Sequence, residues 1–414
     1  MYWLITTFII LLVLDLAKSI TLDLLNAKNI RANKDRIPDA YREVMDKETY
    51  QKSVAYSLEK SRFSLITTVY GGLLLLLLVL SGFLPWLWFF LENFWGTSLW
   101  AQAGYLVVLT LLLAIPELPF DWYSTFKLEE KYGFNKSTLG LWISDKIKGS
   151  LVGFVIGFPL ICLLLKLVDW LGHNWWLWGF GVVFIFQLLM MILYPKLIMP
   201  LFNKLEPLKS GELKDELMGL SNKAGFAAKT IEVMDGSKRS GHSNAFFTGF
   251  GKFRRIVLYD TLMEQLKNNE LKAVLAHEIG HYKLGHIPKM ITMSGISMLV
   301  GFWLIAYLAG APWFYAGFGF AGIASLAPAF LLFSILSGLV TSWLSPLSNI
   351  LSRKHEYEAD AFARNAMEEP NSLVAALRKL NEKNLSNLTP HPLYSCFYYS
   401  HPTLMEREKA LLKS

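Results

Sequence analysis

Leu73-Leu74-Leu75-Leu76-Leu77-Leu78-Val79-Leu80 lies inside an apolar run over 63–84 that holds no Asp, Glu, Lys or Arg. About 20 apolar residues are what a helix needs to cross the hydrocarbon core of a bilayer. Six further runs read the same way, over 2–17, 99–116, 150–168, 176–195, 290–309 and 325–345. The run over 2–17 is short and carries Asp15. It has no basic leader and no small-residue cleavage site before Lys18, so it reads as an uncleaved helix rather than a signal peptide. Composition agrees: 53% of the 414 residues are hydrophobic and only 18% charged, more apolar surface than one water-soluble core hides.

Charge then orders the spans. The connections over 85–98, 169–175 and 310–324 contain no Lys or Arg, whereas 18–62, 117–149, 196–289 and the tail after 346 hold nearly all of them. Seven helices produce this alternation, and positive charge collects on cytoplasmic loops. The amino terminus is expected outside and the carboxyl terminus in the cytoplasm. The net charge of +7 is explained by these loops and implies no nucleic acid. Lys166 sits near an outer helix end, where it can snorkel. Trp86, Trp88, Trp95, Trp175, Trp176 and Trp178 are expected as an outer aromatic belt. The two cysteines, Cys162 and Cys396, make neither a disulfide framework nor a thiolate metal site.

Four blocks follow: 1–202 with the first five transmembrane helices and their cytoplasmic loops, 203–287 as a polar cytoplasmic part, 288–345 with helices six and seven, and 346–414 as a second cytoplasmic part. The two polar parts flank the last helix pair and can meet on one face. Ile231–Asp235, Asn244–Phe250 and Arg255–Tyr259 read as short strands. Asn268-Asn269-Glu270 starts a helix. The fold class is thus mainly α and polytopic, with a small β-sheet in the cytoplasmic domain.

That helix carries His277-Glu278-Ile279-Gly280-His281. Histidines four apart lie about 40° apart around a helix, so both can reach one Zn²⁺. Glu278 is placed as general base towards a metal-activated water. Gly280 is the position where a side chain would crowd the site. The bland alternative is an amphipathic helix with exposed histidines. A catalytic zinc takes a third protein ligand, and the best one is in His355-Glu356-Tyr357-Glu358-Ala359-Asp360-Ala361. Glu356 and Asp360 share a helix face, so Glu356 can ligate while Asp360 accepts a hydrogen bond from a ligand histidine. Glu358 points away from that face and reads as solvated. His286, nine residues from His277, falls on the opposite side of a continuing helix and reads as a surface or helix-end residue. His401 and Arg407 are candidates for stabilising a developing oxyanion. Their bland readings are a capping histidine and a solvated arginine.

Together, His277-Glu278-Ile279-Gly280-His281, Glu356-Tyr357-Glu358-Ala359-Asp360-Ala361 and His401-Pro402 resemble the Ste24-type CAAX prenyl endopeptidases, integral-membrane zinc metalloproteases of family M48. Leu118-Pro119-Phe120, Glu129-Glu130-Lys131-Tyr132-Gly133-Phe134-Asn135-Lys136, Pro200-Leu201-Phe202-Asn203-Lys204 and His242-Ser243-Asn244-Ala245-Phe246 carry the resemblance along the chain. It implies one Zn²⁺ per chain held by His277, His281 and Glu356, with Glu278 as catalytic base. It implies that Asn244 holds substrate backbone and that His401 and Arg407 contact substrate or transition state. It also implies seven helices around a chamber, and a peptide or protein substrate, prenylated or not, met at the bilayer. The alternatives are a quality-control protease of the HtpX type and, outside enzymes, a seven-helix receptor or transporter. The compact loops favour a bacterial inner membrane over the endoplasmic reticulum.

Overall fold

A computed structural model describes residues 2–42, 45–226, 230–248, 255–323 and 325–413. The principal helices are α1 (Tyr2–Ala32), α2 (Lys47–Leu80), α3 (Leu99–Ala114), α4 (Leu139–Leu171), α5 (Trp175–Leu193), α6 (Glu212–Lys223), α7 (Asn268–Lys283), α8 (His286–Ala309), α9 (Ala327–Leu336), α10 (Ser345–Met367), α11 (Asn371–Lys383) and α12 (Leu404–Lys413). Starts follow local chemistry. Asp46 accepts from the Thr49 amide at 2.7 Å to begin α2, and Thr138 accepts from Leu141 to begin α4, each satisfying an otherwise orphaned donor.

Among the described residues, five continuous helical stretches are long and apolar enough to cross a membrane: Lys47–Leu80, Leu99–Tyr132, Leu139–Phe202, His286–Ala309 and Ala327–Met367. The chain is a multi-pass membrane protein. Its helices meet in a core built on Leu84, Trp88, Tyr105, Leu109, Phe320 and Leu332. Leu77, Leu151, Ile185 and Ile296 instead stay exposed on the outer faces, as helices that contact lipid require. The aromatic belt holds only in part. Trp86, Trp95 and Trp178 are exposed, but Trp88 and Trp175 are buried. Trp88 packs edge-on against Tyr105, and Trp175 does the same with Phe330. Lys166 pairs with Asp169 at 3.3 Å over the Trp170 ring.

The polar part carries a four-stranded sheet in the order β1-β2-β4-β3, with β1 at Leu205–Pro207, β2 at Thr230–Met234, β3 at Ala245–Thr248 and β4 at Arg255–Tyr259. The β2–β4 pair is parallel, with Ile231 opposite Ile256, and the outer pairs are antiparallel. The expected strand over 244–250 begins at Ala245, and its end at 249–250 lies outside the described residues. β1 was not legible: three residues ending in Pro207 give no alternation to read. Ile231, Ile256 and Leu258 bury against Leu271, Val274 and Leu275 of α7. The sheet is therefore the platform on which the motif helix rests.

Candidate metal centre

α7 is fixed at its start. The Glu270 carboxylate accepts from the Lys267 amide at 2.7 Å and pairs with Lys379 of α11, also at 2.7 Å. An acidic group in the first turn suits the positive end of the helix dipole. The next turns are almost wholly buried, from Leu271 through Gly280. α7 lies along α10, bringing together two segments about 80 residues apart in sequence. Gly280 allows it. A Cβ there would stand 3.1 Å from the Ala359 Cα and 3.2 Å from the Ala359 carbonyl oxygen. Its smallness serves the helix–helix approach.

At this crossing His277, His281 and Glu356 turn their ligand atoms towards one point. The His277 and His281 Nε2 atoms are 3.2 Å apart. Glu356 Oε2 is 3.4 Å from His277 Nε2, and Glu356 Oε1 is 3.2 Å from His281 Nε2. Donors bonded at about 2.0–2.1 Å around a tetrahedral ion stand roughly 3.3 Å from each other, so these spacings suit a small cation. The Nδ1 of His277 is 2.9 Å from Asp360 Oδ1. A carboxylate fixes Nδ1 as the donor, leaving the Nε2 lone pair facing Glu356. Glu356 Oε2 is buried and makes no hydrogen bond. Facing lone pairs and an orphaned buried oxygen are costly unless a cation lies between them.

Charge points the same way. Glu278, Glu356 and Asp360 face one guanidinium, Arg407, which grips Asp360 through Nε at 2.8 Å and Nη2 at 2.6 Å and sits 3.5 Å from Glu356. Ionised, the group carries two excess negative charges, which a divalent cation balances. Burial pushes the Glu278 carboxyl above its ordinary range, although the neighbouring histidines oppose this. Burial also disfavours charge on His277, but hydrogen bonds to Asp360 and Glu356 hold it up at about 9.

The expected residues fall into two groups. His277, His281, Glu356, Asp360 and Arg407 meet directly. The solvated reading of Arg407 is corrected, because it is buried as the carboxylates' counter-ion. His401 joins from the rim, its Nε2 3.3 Å from Glu356 Oε1 and its Nδ1 2.9 Å from Ser400 Oγ. Asn244 stands apart. It is exposed at the start of edge strand β3, its side chain accepting from the Ala245 amide, and no hydrogen bond among the described residues joins it to the cluster. Beside His401 and Arg407 opens a cavity of about 750 Å³ that reaches Tyr56, Lys60, His242 and Asn384.

Two expectations are corrected. His286 does stand at a helix end, as the first residue of α8, but it is buried rather than at the surface, because α7 ends and Gly285, at φ +67°, turns the chain before α8 begins. Glu358 accepts from His286 at 2.9 Å and is only partly exposed. The missed signal was Gly285, since glycine just past a helix end is the common terminator.

Comparisons with known proteins cover nearly the whole chain. The family described as CAAX prenyl protease N-terminal, five membrane helices, matches residues 26–204, and peptidase family M48 matches 207–414. CAAX prenyl protease 1 of Saccharomyces cerevisiae is 38% identical over 407 residues, covering 92% of this chain and 89% of the yeast protein. The human CAAX prenyl protease 1 homolog is 34% identical, covering 91% of this chain and 88% of its own. The crystal structure of S. mikatae Ste24p superposes with a TM-score of 0.89 at 35% identity, covering 98% of both chains.

Proposed function

This chain belongs to the Ste24-type CAAX prenyl proteases of peptidase family M48, and on that premise we propose that its metalloendopeptidase centre holds one Zn²⁺ on His277, His281 and Glu356. The observation that carries this reading is the convergence of three donor sets about 3.3 Å apart around the orphaned Glu356 oxygen. When bound, the ion would polarise a scissile carbonyl and bring the pKa of a water to about 7.

The chain's own residues do the rest. Glu278, adjacent to His277 and raised by burial, takes a proton from the attacking water and delivers it to the leaving amine. Asp360 holds His277 in the tautomer that offers Nε2, and Arg407 holds Asp360. His401, at the rim beside Glu356, is placed to donate to a developing oxyanion. β3, paired among the described residues with β4 alone, offers backbone groups to an extended peptide, with Asn244 at its start.

The substrate class is a membrane-associated protein ending in a prenylated CAAX sequence, from which the terminal tripeptide is removed. The names of the relatives and a full-length match support this. The HtpX-type and receptor or transporter readings have no comparable support. The seven-helix arrangement around a chamber belongs to the proposal: Leu139–Phe202 contains two of the helices, α4 and α5, and α1 adds another to the five stretches. So do the four blocks 1–202, 203–287, 288–345 and 346–414 and the cytoplasmic carboxyl terminus. The relatives compared are eukaryotic and lend no support to a bacterial inner membrane.

The test pairs a farnesylated CAAX peptide with the same peptide unprenylated. The purified enzyme is expected to cleave the farnesylated form preferentially and to carry about one zinc. Glu278→Gln should keep the zinc and lose at least about 100-fold in turnover, the lower range for a lost general base. Unchanged cleavage by Glu278→Gln would remove the proposed mechanism, and equal cleavage of both peptides would remove the CAAX assignment.

A further inference from the structure

Buried His286 and partly exposed Glu358 form a link that the reaction described above does not use. His286 Nδ1 lies 3.0 Å from His281 Nδ1, and His286 Nε2 lies 2.9 Å from Glu358 Oε2. The His355 ring stacks on His286, with centroids 4.1 Å apart and planes 13° from parallel. His355 and Glu358 are three apart on α10, so they share a face and bracket one ring.

Lone-pair chemistry assigns the protons. A carboxylate only accepts, so His286 carries its proton on Nε2 and donates it to Glu358. His286 Nδ1 is then a lone pair. The contact with His281 is a hydrogen bond only if His281 donates from its own Nδ1, which leaves the His281 Nε2 lone pair facing His277 and Glu356. We infer that His286, oriented by Glu358 and by stacking on His355, is the positioning residue that sets the tautomer and ring angle of His281 for metal binding. The link matches the Asp360–His277 contact on the other ligand, and groups that accept from a ligand histidine typically contribute 10–100-fold in metal affinity.

The backbone explains how His286 reaches this place. Five positions along a continuous helix, it would sit about 140° from His281. The left-handed turn at Gly285 folds the start of α8 back over the last turn of α7.

His286, His355 and Glu358 also form a group that could take an ion of their own. Stacked rings argue against it, because imidazole lone pairs lie in the ring plane and two parallel planes do not converge.

The inference rests on the zinc site proposed above, and zinc dissociation constants of the full-length purified protein test both. They are measured by competition with a chelator for wild type, His286→Phe, His286→Asn and His277→Ala. Phenylalanine keeps the ring against His355 but cannot accept; asparagine accepts close to the Nδ1 position. His286→Phe should weaken zinc about 10–100-fold, in the range known for such groups. His286→Asn should stay within severalfold of wild type, with one zinc per chain in both at saturation. Wild-type affinity in His286→Phe would overturn the inference while leaving the zinc site intact. So would equal losses in the two variants, or a second zinc abolished by both. No zinc in wild type, or undiminished binding in His277→Ala, would overturn the zinc site and the inference with it.

Discussion

At the residue scale, the cluster of His277, His281 and Glu356 was readable because helix spacing does the work. Residues four apart share a face, so His277 with His281 and Glu356 with Asp360 could each be paired without knowing how the helices meet. Arg407 was not readable in the same way. Its role depends on α12 packing against α10, a contact between segments joined by no periodic pattern. Asp360 is where the consequence is sharpest, because one carboxylate accepts from His277 and from Arg407. Asp360→Asn keeps the shape and removes the charge. The amide can still accept from His277, but it then offers Arg407 an NH₂ donor in place of an oxygen, leaving a buried guanidinium poorly matched. We expect zinc affinity to fall about 10–100-fold, as for other groups that orient ligands, with a smaller loss in thermal stability. Chelator competition and a thermal melt on the same sample separate the two effects.

At the element scale, the decisive event is the approach of α7 to α10, and a glycine sets it. The motif's fourth position was expected to be small so as not to crowd the site. The structure moves the reason to the opposite partner, the backbone of Ala359 and the Cβ of Phe362. Backbone cannot rotate away, so Gly280→Ala has to separate the helices by a few tenths of an ångström. Overpacking of this sort costs about 1–3 kcal/mol, partly offset by the better helix propensity of alanine, about 1 kcal/mol. Activity should suffer more than stability, since the separation also pulls Glu356 from the histidines. A Gly280→Ala protein that melts close to wild type, binds zinc more weakly and turns over slowly fits this account. Unchanged turnover would show that the two helices have slack. The small sheet was only partly legible for a related reason. β2 and β4 have apolar alternation, but β1 exists because β2 has an open edge for it to join.

At the scale of the whole molecule, apolar length carried most of the information on the membrane spans. It is a property of long windows and survives local error. The span over 325–345 shows the limit of such windows. In the structure it continues helically to Met367, so the element that begins in the buried helical core with Ala327, Leu331 and Leu332 ends by presenting Glu356 and Asp360 to the site. A membrane helix that runs directly into the catalytic cluster fixes on which side of the bilayer the chemistry happens. If the basic loops are cytoplasmic, then Lys209, just after β1, and the metal centre face the cytoplasm, while the Lys- and Arg-free turn over 169–175 faces outwards. Cysteines placed singly at Lys209 and at His173, in a background with Cys162 and Cys396 replaced by Ser, should label from opposite sides of sealed vesicles with a membrane-impermeant maleimide. Outward labelling at His173 with protection of Lys209 until the vesicles are opened agrees with the charge argument. The reverse pattern would turn the molecule over and place peptide cleavage on the other face, whereas labelling of both positions from one side would break the helix count between them, because α4 and α5 enclose His173 and Lys209 follows only after α5 has crossed back.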